Sequence, residues 1–163
     1  NMYEFEKSKG GDLNKFLERA KFEARDNSRT PFQWSAAENA GFSTAKPWIK
    51  VAPNYKEINA EAQEKDQNSP LNYFRKLTKL RKENPVLVYG KYTLLDESSE
   101  SVYAYTRELN GKKLLILLNF TDKEATANTG LDMSKAKVLL GNYAESSKDG
   151  KLKPYEAVVY ELN

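Results

Sequence analysis

Apolar positions recur along this chain with two different periods, and the change falls near Pro85. Leu13, Phe16, Leu17, Ala20 and Ala24 repeat at helical spacing behind Gly10-Gly11-Asp12. This predicts a loop, an Asp12 N-cap and a helix from about Asp12 to Ala24. Tyr73, Phe74, Leu77 and Leu80 form a second helical stripe. Ser69 stands at its N-cap with Pro70 at the first helical position, and Asn84-Pro85 ends it, because proline has no N–H and restricts the residue before it. Beyond Pro85 the runs Val86–Leu95, Ser101–Glu108, Lys112–Phe120, Glu124–Asn128, Ala136–Leu140 and Tyr155–Leu162 read as strands. Asn110-Gly111 between two of them is a type I′ hairpin signal. Leu114–Leu118 is continuously apolar, as a strand buried on both faces requires. The pattern predicts an antiparallel sandwich of about six to eight strands, and a division into residues 1–85 and 86–163.

Between Arg25 and Asn68 no period is sustained. Pro31, Pro47, Pro53 and Gly41 interrupt it, while Phe32, Trp34, Phe42, Trp48 and Tyr55 make it too aromatic for a disordered segment. A long packed loop is expected, with a short helix within Ile58–Lys65.

Composition narrows the chemistry. Among 163 residues, 26 Lys and Arg face 23 Asp and Glu, a net +3 with the charges interspersed and no long run of one sign, so neither a nucleic-acid face nor a membrane face is expected. The chain has no Cys and no His, which excludes disulfides, thiolate metal sites, a cysteine nucleophile and imidazole acid–base catalysis. No apolar run approaches the ~18 residues of a membrane span. No signal peptide opens the chain, which suits a cytoplasmic protein, and Asn1 without an initiator Met suits a fragment or a processed product.

One segment stands apart. Arg25-Asp26-Asn27-Ser28-Arg29-Thr30-Pro31-Phe32-Gln33-Trp34 is followed by Asn39-Ala40-Gly41-Phe42-Ser43, Lys46-Pro47-Trp48-Ile49 and Asn54-Tyr55-Lys56-Glu57-Ile58-Asn59. Two Arg, an Asp and an Asn within five residues are able to hydrogen-bond a polyol, and the aromatics to stack on sugar faces. On physical grounds alone the stronger reading is structural: a local Asp26–Arg29 pair, with the aromatics pinning the loop to its own core. The order of these pieces resembles the oligo-1,6-glucosidase branch of the α-amylase superfamily, glycoside hydrolase family 13. The likeness continues through Asp66-Gln67-Asn68-Ser69, Arg81-Lys82, Val88-Tyr89-Gly90, Leu118-Asn119-Phe120, Gly141-Asn142-Tyr143 and Lys153-Pro154-Tyr155-Glu156.

The resemblance implies an α+β fragment: the terminal helices and packed loop of a (β/α)8 barrel over 1–85, then an all-β antiparallel sandwich, domain C, over 86–163. It implies a retaining α-glucosidase that removes α-1,6-linked, or α-1,4-linked, glucose from the non-reducing end. The partners it implies are a gluco-oligosaccharide and the rest of the barrel, with no cofactor and no metal. A barrel needs roughly 250 residues, so none fits here, and the family's catalytic carboxylates are expected to lie outside this chain. Glu57 and Glu61, one helical turn apart, read as a solvated face.

The site residue carried over is Arg25, which by resemblance pairs with an upstream Asp and contacts the terminal glucosyl unit. Arg29 is expected to buttress the loop through Asp26 or backbone carbonyls. The alternatives are a sister activity (sucrose isomerase, trehalose synthase, dextran glucosidase), a stand-alone carbohydrate-binding module, or a purely structural β domain. The binding-module alternative requires two or three of Tyr89, Tyr92, Tyr103, Tyr105, Tyr143, Tyr155 and Tyr160 to be coplanar and exposed.

Overall fold

The computed structural model describes residues 2–162, the Asn27 side chain excepted. Two compact units divide between Gln67 and Asn68.

The first unit holds α1 (Met2–Ser8), α2 (Leu13–Glu23) and α3 (Ala60–Lys65). Asp12 caps α2 as expected, its Oδ1 accepting from Asn14 N at 3.0 Å and Lys15 N at 3.1 Å. The sequence pattern missed α1, whose apolar residues are too few to show a period. In α3 Asn59 is the cap and accepts from Ala62 N at 2.9 Å, which places the short helix where the sequence put it. Neither α2 nor α3 buries any residue, and the two buried apolar clusters among the described residues lie in the second unit.

The second unit opens with α4 (Pro70–Glu83) and α5 (Val86–Tyr89). Ser69 Oγ accepts from Asn72 N at 3.2 Å and Pro70 stands at the start of α4. The expected strand Val86–Leu95 forms only from Lys91. Asn84 is extended, as a residue before proline should be, but Pro85 itself is αR at φ −53° and ψ −27°. Its fixed φ starts a further helical turn, closed by Tyr89 N to Pro85 O at 2.8 Å and Gly90 N to Val86 O at 3.0 Å. That turn places Val86 against Leu114, Ile116 and Val159.

Seven strands follow: β1 (Lys91–Leu95), β2 (Val102–Leu109), β3 (Lys112–Asn119), β4 (Ala125–Thr126), β5 (Lys137–Gly141), β6 (Lys151–Leu152) and β7 (Ala157–Leu162). Every pairing is antiparallel, in a five-stranded sheet ordered β1-β2-β3-β7-β5 and a two-stranded sheet β4-β6. Asn110 and Gly111 turn β2 into β3 at φ 52° and 79°, the positive pair of a type I′ turn. The sequence pattern passed over β6, whose two residues are too few to alternate.

The central strand β3 has buried residues on both faces. Leu115 and Leu117 meet Val102, Ala104, Val158, Tyr160, Met133 and Leu152 on one side. Leu114 and Ile116 meet Val86 and Val159 on the other. Leu114, Leu115 and Leu117 are each 0% exposed, and each such burial stabilises the fold by roughly 1.5–3 kcal/mol.

Candidate functional site

Arg25 begins a 3-10 turn, Arg25–Ser28, directly after the end of α2 at Ala24. Ser28 Oγ closes that turn on Arg25 O at 2.9 Å. The Arg25 side chain is exposed, and its guanidinium makes no hydrogen bond or ion pair with any described residue. The expected side-chain pair of Asp26 and Arg29 does not form. The two are joined only through the backbone, Arg29 N to Asp26 O at 3.1 Å. Two cations and one anion therefore stand together on this turn with their charged ends unpaired within the described residues.

The loop that follows is built by its own polar groups. Ala60 N donates to Gln33 O at 2.9 Å and Glu61 N to Trp34 O at 3.0 Å. Gln33 Nε2 reaches Asn54 Oδ1 at 3.3 Å and also donates to Ile58 O. Trp34 N and Ser35 N share Ala40 O at 2.9 and 3.1 Å, which requires a tight turn with Asn39, Ala40 and Gly41 at φ 52°, 59° and 65°. Glycine suits the positive φ at position 41, while a side chain there would meet the rotatable Ser35 Oγ at 2.6 Å. The motif residues Gln33, Asn54, Asn59 and Gly41 thus have a structural account. The aromatics have none within the unit: Phe32 and Trp34 stack at 4.5 Å yet each stays 56% exposed, and Trp48 is 89% exposed.

Glu61 forms an ion pair with Lys65 at 2.8 Å, and that hydrogen bond holds its carboxyl below the usual range. A glycosidase acid requires the opposite displacement, so Glu61 reads as helix-surface charge. Glu57 lies in the turn before α3, outside that helix.

In the second unit the short motifs quoted from the sequence are loop clamps. Buried Asn119 donates to Lys123 O at 2.7 Å and Lys153 O at 2.8 Å, and accepts from Thr121 N at 3.0 Å. Asn142 spans Tyr155 O and Ala157 N at 2.8 and 2.9 Å. Buried Glu156 accepts from Lys153 N at 2.8 Å, closing the turn in which Tyr155 stands at φ 52°. The tyrosines do not form a flat platform. Tyr105 contacts Tyr92 and Tyr103 at 5.3 and 5.2 Å with ring planes tilted by 39° and 44°. Tyr160 is fully buried, and Tyr143 is tied to Pro154 O at 2.9 Å. That dispersal is what a scaffold requires and what stacking on a sugar chain does not.

Residues 2–90 match the family model for the α-amylase catalytic domain, and residues 102–159 match that for the C-terminal domain of the α-amylase SusG. The chain belongs to the α-amylase family, glycoside hydrolase family 13, with its helical part matching the end of the catalytic domain and its antiparallel sheet the domain that follows. Within that family the chain is similar to oligo-1,6-glucosidases and trehalose-6-phosphate hydrolases. It is 40% identical over 169 residues to an oligo-1,6-glucosidase of Parageobacillus thermoglucosidasius, covering 99% of this chain and 30% of the relative. It is 42% identical over 171 residues to a trehalose-6-phosphate hydrolase of Bacillus subtilis, with the same coverages. Among solved structures, a trehalose-6-phosphate hydrolase of Bacillus licheniformis superposes with a TM-score of 0.85 at 42% identity, over 99% of this chain and 30% of that one. An isomaltulose synthase of Klebsiella sp. LX3 superposes at 0.81 with 36% identity, over 98% and 30%. The chain therefore spans about 30% of the length of the curated relatives it matches. No helix among the described residues is long and apolar enough to cross a membrane.

Proposed function

We propose that this chain is the C-terminal part of a retaining α-glucosidase that releases glucose from the non-reducing end of short α-1,6-linked gluco-oligosaccharides. The observation that carries this is the contrast between its two units. The first matches a catalytic domain yet has no apolar core cluster of its own among the described residues, and it leaves Phe22, Phe32, Trp34 and Trp48 exposed. Such a unit is completed by a larger body, and the rest of the barrel is the partner its sequence implies. The second unit has two clusters and dispersed tyrosines, as expected of a domain that supports the barrel.

On this reading Arg25 faces the terminal glucosyl unit and pairs with a carboxylate from outside the chain. The catalytic carboxylates lie outside it too, so the 163-residue chain alone turns over no α-glucoside. The enzyme works in the cytoplasm on soluble sugar, with no cofactor, nucleic acid or membrane as partner. A chain without cysteine has no disulfide to lose in a reducing compartment.

A second reading follows from the 42% identity to trehalose-6-phosphate hydrolases, which equals or exceeds that to the oligo-1,6-glucosidases. The full-length protein, assayed on isomaltose, maltose and trehalose 6-phosphate, decides. Preference for isomaltose supports the main reading, and preference for the phosphorylated disaccharide replaces it. Turnover of a chromogenic α-glucoside by the pure 163-residue chain would overturn the placement of the carboxylates.

A further inference from the structure

The five-stranded sheet has two faces, and they are covered unequally. Strands β4 and β6 and the loops around them close one face over Val102, Ala104, Leu115 and Leu117. On the other face, α4 and α5 cover only the end formed by Leu114, Ile116 and Val159. Beside that cover lies a groove of about 360 Å³ between α4 and the sheet. Its helix wall is Tyr73, Leu77 and Arg81, spaced four residues apart on one side of α4. Its sheet wall carries Tyr105 and Arg107, and the outward tyrosines Tyr92 and Tyr103, each about 40% exposed, continue the same face.

The chemistry of the groove is an apolar trough with cations at its edge. Burial holds the Tyr105 hydroxyl above its ordinary pKa, and the nearby Arg107 and Arg81 guanidiniums only partly oppose that. Each spends one N–H on a backbone carbonyl, Arg81 on Leu87 O at 2.9 Å and Arg107 on Gly90 O at 3.1 Å. Neither is paired with a carboxylate among the described residues. The groove therefore presents two guanidiniums, a phenol and an apolar floor, the residue types over-represented at the energetic centres of protein interfaces.

We propose that this groove seats an acidic side chain on an apolar segment of the parent's catalytic domain, from the part of that domain outside this chain. Two observations choose that occupant. Helix α4 lies within the stretch, residues 2–90, that matches the catalytic domain, so the wall of the groove and the missing segment belong to one folded body. The chain covers 30% of its relatives, leaving most of that body to come from elsewhere in the same polypeptide. Charge complementarity supplies the third requirement: two guanidiniums without a carboxylate partner among the described residues, Arg107 resting 5.6 Å from the Tyr92 ring centre, call for a carboxylate on an apolar stem, whereas a sugar would need the coplanar rings this face lacks. The proposal rests on the chain being part of a longer family member, but not on which sugar that enzyme cleaves.

The test uses the full-length protein with Tyr105 replaced by p-benzoylphenylalanine, irradiated and digested, and the cross-linked peptides identified by mass spectrometry. The expected result is an intramolecular cross-link to a catalytic-domain peptide outside this chain that contains Asp or Glu. Cross-links confined to residues of this chain, a cross-link to a second copy, or no cross-link overturn the proposal. A second arm compares Arg107→Met with Arg107→Glu in the full-length protein. Both lose the contact to Gly90 O; burying a carboxylate has its own cost, but a docked carboxylate adds a repulsion in Arg107→Glu that salt screens, so the gap between the two variants is expected to narrow at high ionic strength. The expected further fall in Tm for Arg107→Glu is about 2 °C or more. Equal Tm values would assign Arg107 to the Gly90 contact alone. Assays on isomaltose and trehalose 6-phosphate read the function separately, so a failure here is distinguishable from a failure there.

Discussion

Asn84 at the end of α4 accepts a hydrogen bond from Lys112 Nζ at the start of β3, 3.1 Å away. Lys112 also lies 2.9 Å from Glu161 Oε1 on β7, and Asn84 Nδ2 caps its own helix on Leu80 O at 2.8 Å. One half-buried asparagine thus fixes α4, a helix of the catalytic-domain match, to the central hairpin of the sheet. Asn84→Ala removes both bonds and is expected to lower stability by about 1–2 kcal/mol, or roughly 2–8 °C in Tm. Asn84→Asp, which keeps an acceptor for Lys112, is expected to fall between the two. Thermal unfolding of the three proteins checks this, and an alanine variant as stable as the parent would show that the contact contributes nothing.

Gly90 is tight for a reason unrelated to its φ, which is an ordinary −60°. An added Cβ would overlap the Val86 carbonyl oxygen and stand 3.0 Å from Glu108 N and 3.2 Å from Glu108 O. All three are backbone atoms, so no side chain can swing aside. Gly90→Ala is expected to cost about 1–3 kcal/mol by overpacking, and Gly111→Ala less, since nothing lies within 4 Å of a Cβ there and only its positive φ resists. Urea unfolding midpoints of the two variants order them; the reverse order would refute the close approach at Gly90.

These two positions also show how far the sequence could be read. Asn110-Gly111, Ser69-Pro70 and Asp12 were legible because each has a local cause: a turn needing positive φ, a fixed φ at a helix start, a carboxylate reaching backbone N–H groups. The helical turn at Val86 was not legible. Val-Leu-Val-Tyr after a proline has the composition of a strand, and the αR start at Pro85 together with burial of Val86 against Leu114 and Val159 decides for helix. The same limit applies at Asp26 and Arg29, whose spacing invited a pair that the 3-10 turn does not make. The motif around Arg25 was legible as an ordered series of pieces, while the roles of Asn119, Asn142 and Glu156 as loop clamps depend on partners up to 34 residues away.

Tyr160 gives the protein an alkaline limit. It is fully buried, its hydroxyl donates to Ser147 O, and burial, aided by the charges of Glu156 and Asp149, pushes its pKa from 10.0 to about 12. Above pH 10 the unfolded chain releases this proton while the native protein keeps it, so the unfolded state binds fewer protons and stability falls as pH rises. Below pH 10 the contribution is fully present; it is lost between pH 10 and about 12. Tyr160→Phe should begin less stable at neutral pH, having lost the bond to Ser147, but decline less steeply across that window. Denaturation profiles from pH 8 to 12 compare the slopes, and parallel curves would exclude Tyr160 as the source.

Arg25 separates a substrate residue from a structural one. It stands where α2 gives way to the 3-10 turn, exposed and with no side-chain partner among the described residues. A guanidinium that merely capped the helix would be expected to bond the Leu13–Glu23 carbonyls, and none of its donors does so. A residue that grips a carboxylate from elsewhere while offering N–H donors to a glucosyl unit would look as Arg25 does here. Hydrogen bonds to a charged group contribute about 1.5–3 kcal/mol. In the full-length enzyme Arg25→Ala is therefore expected to lower kcat/KM on isomaltose roughly 10- to 150-fold, at about tenfold per 1.36 kcal/mol. Arg25→Lys should recover little, because a single ammonium cannot reproduce the planar fork. Stability should move by less than about 0.5 kcal/mol, since the side chain holds nothing within this unit. Kinetics and Tm of both variants are measured side by side. A fall in Tm with kcat/KM within about twofold of the parent would make Arg25 a helix-end residue and remove it from the substrate pocket.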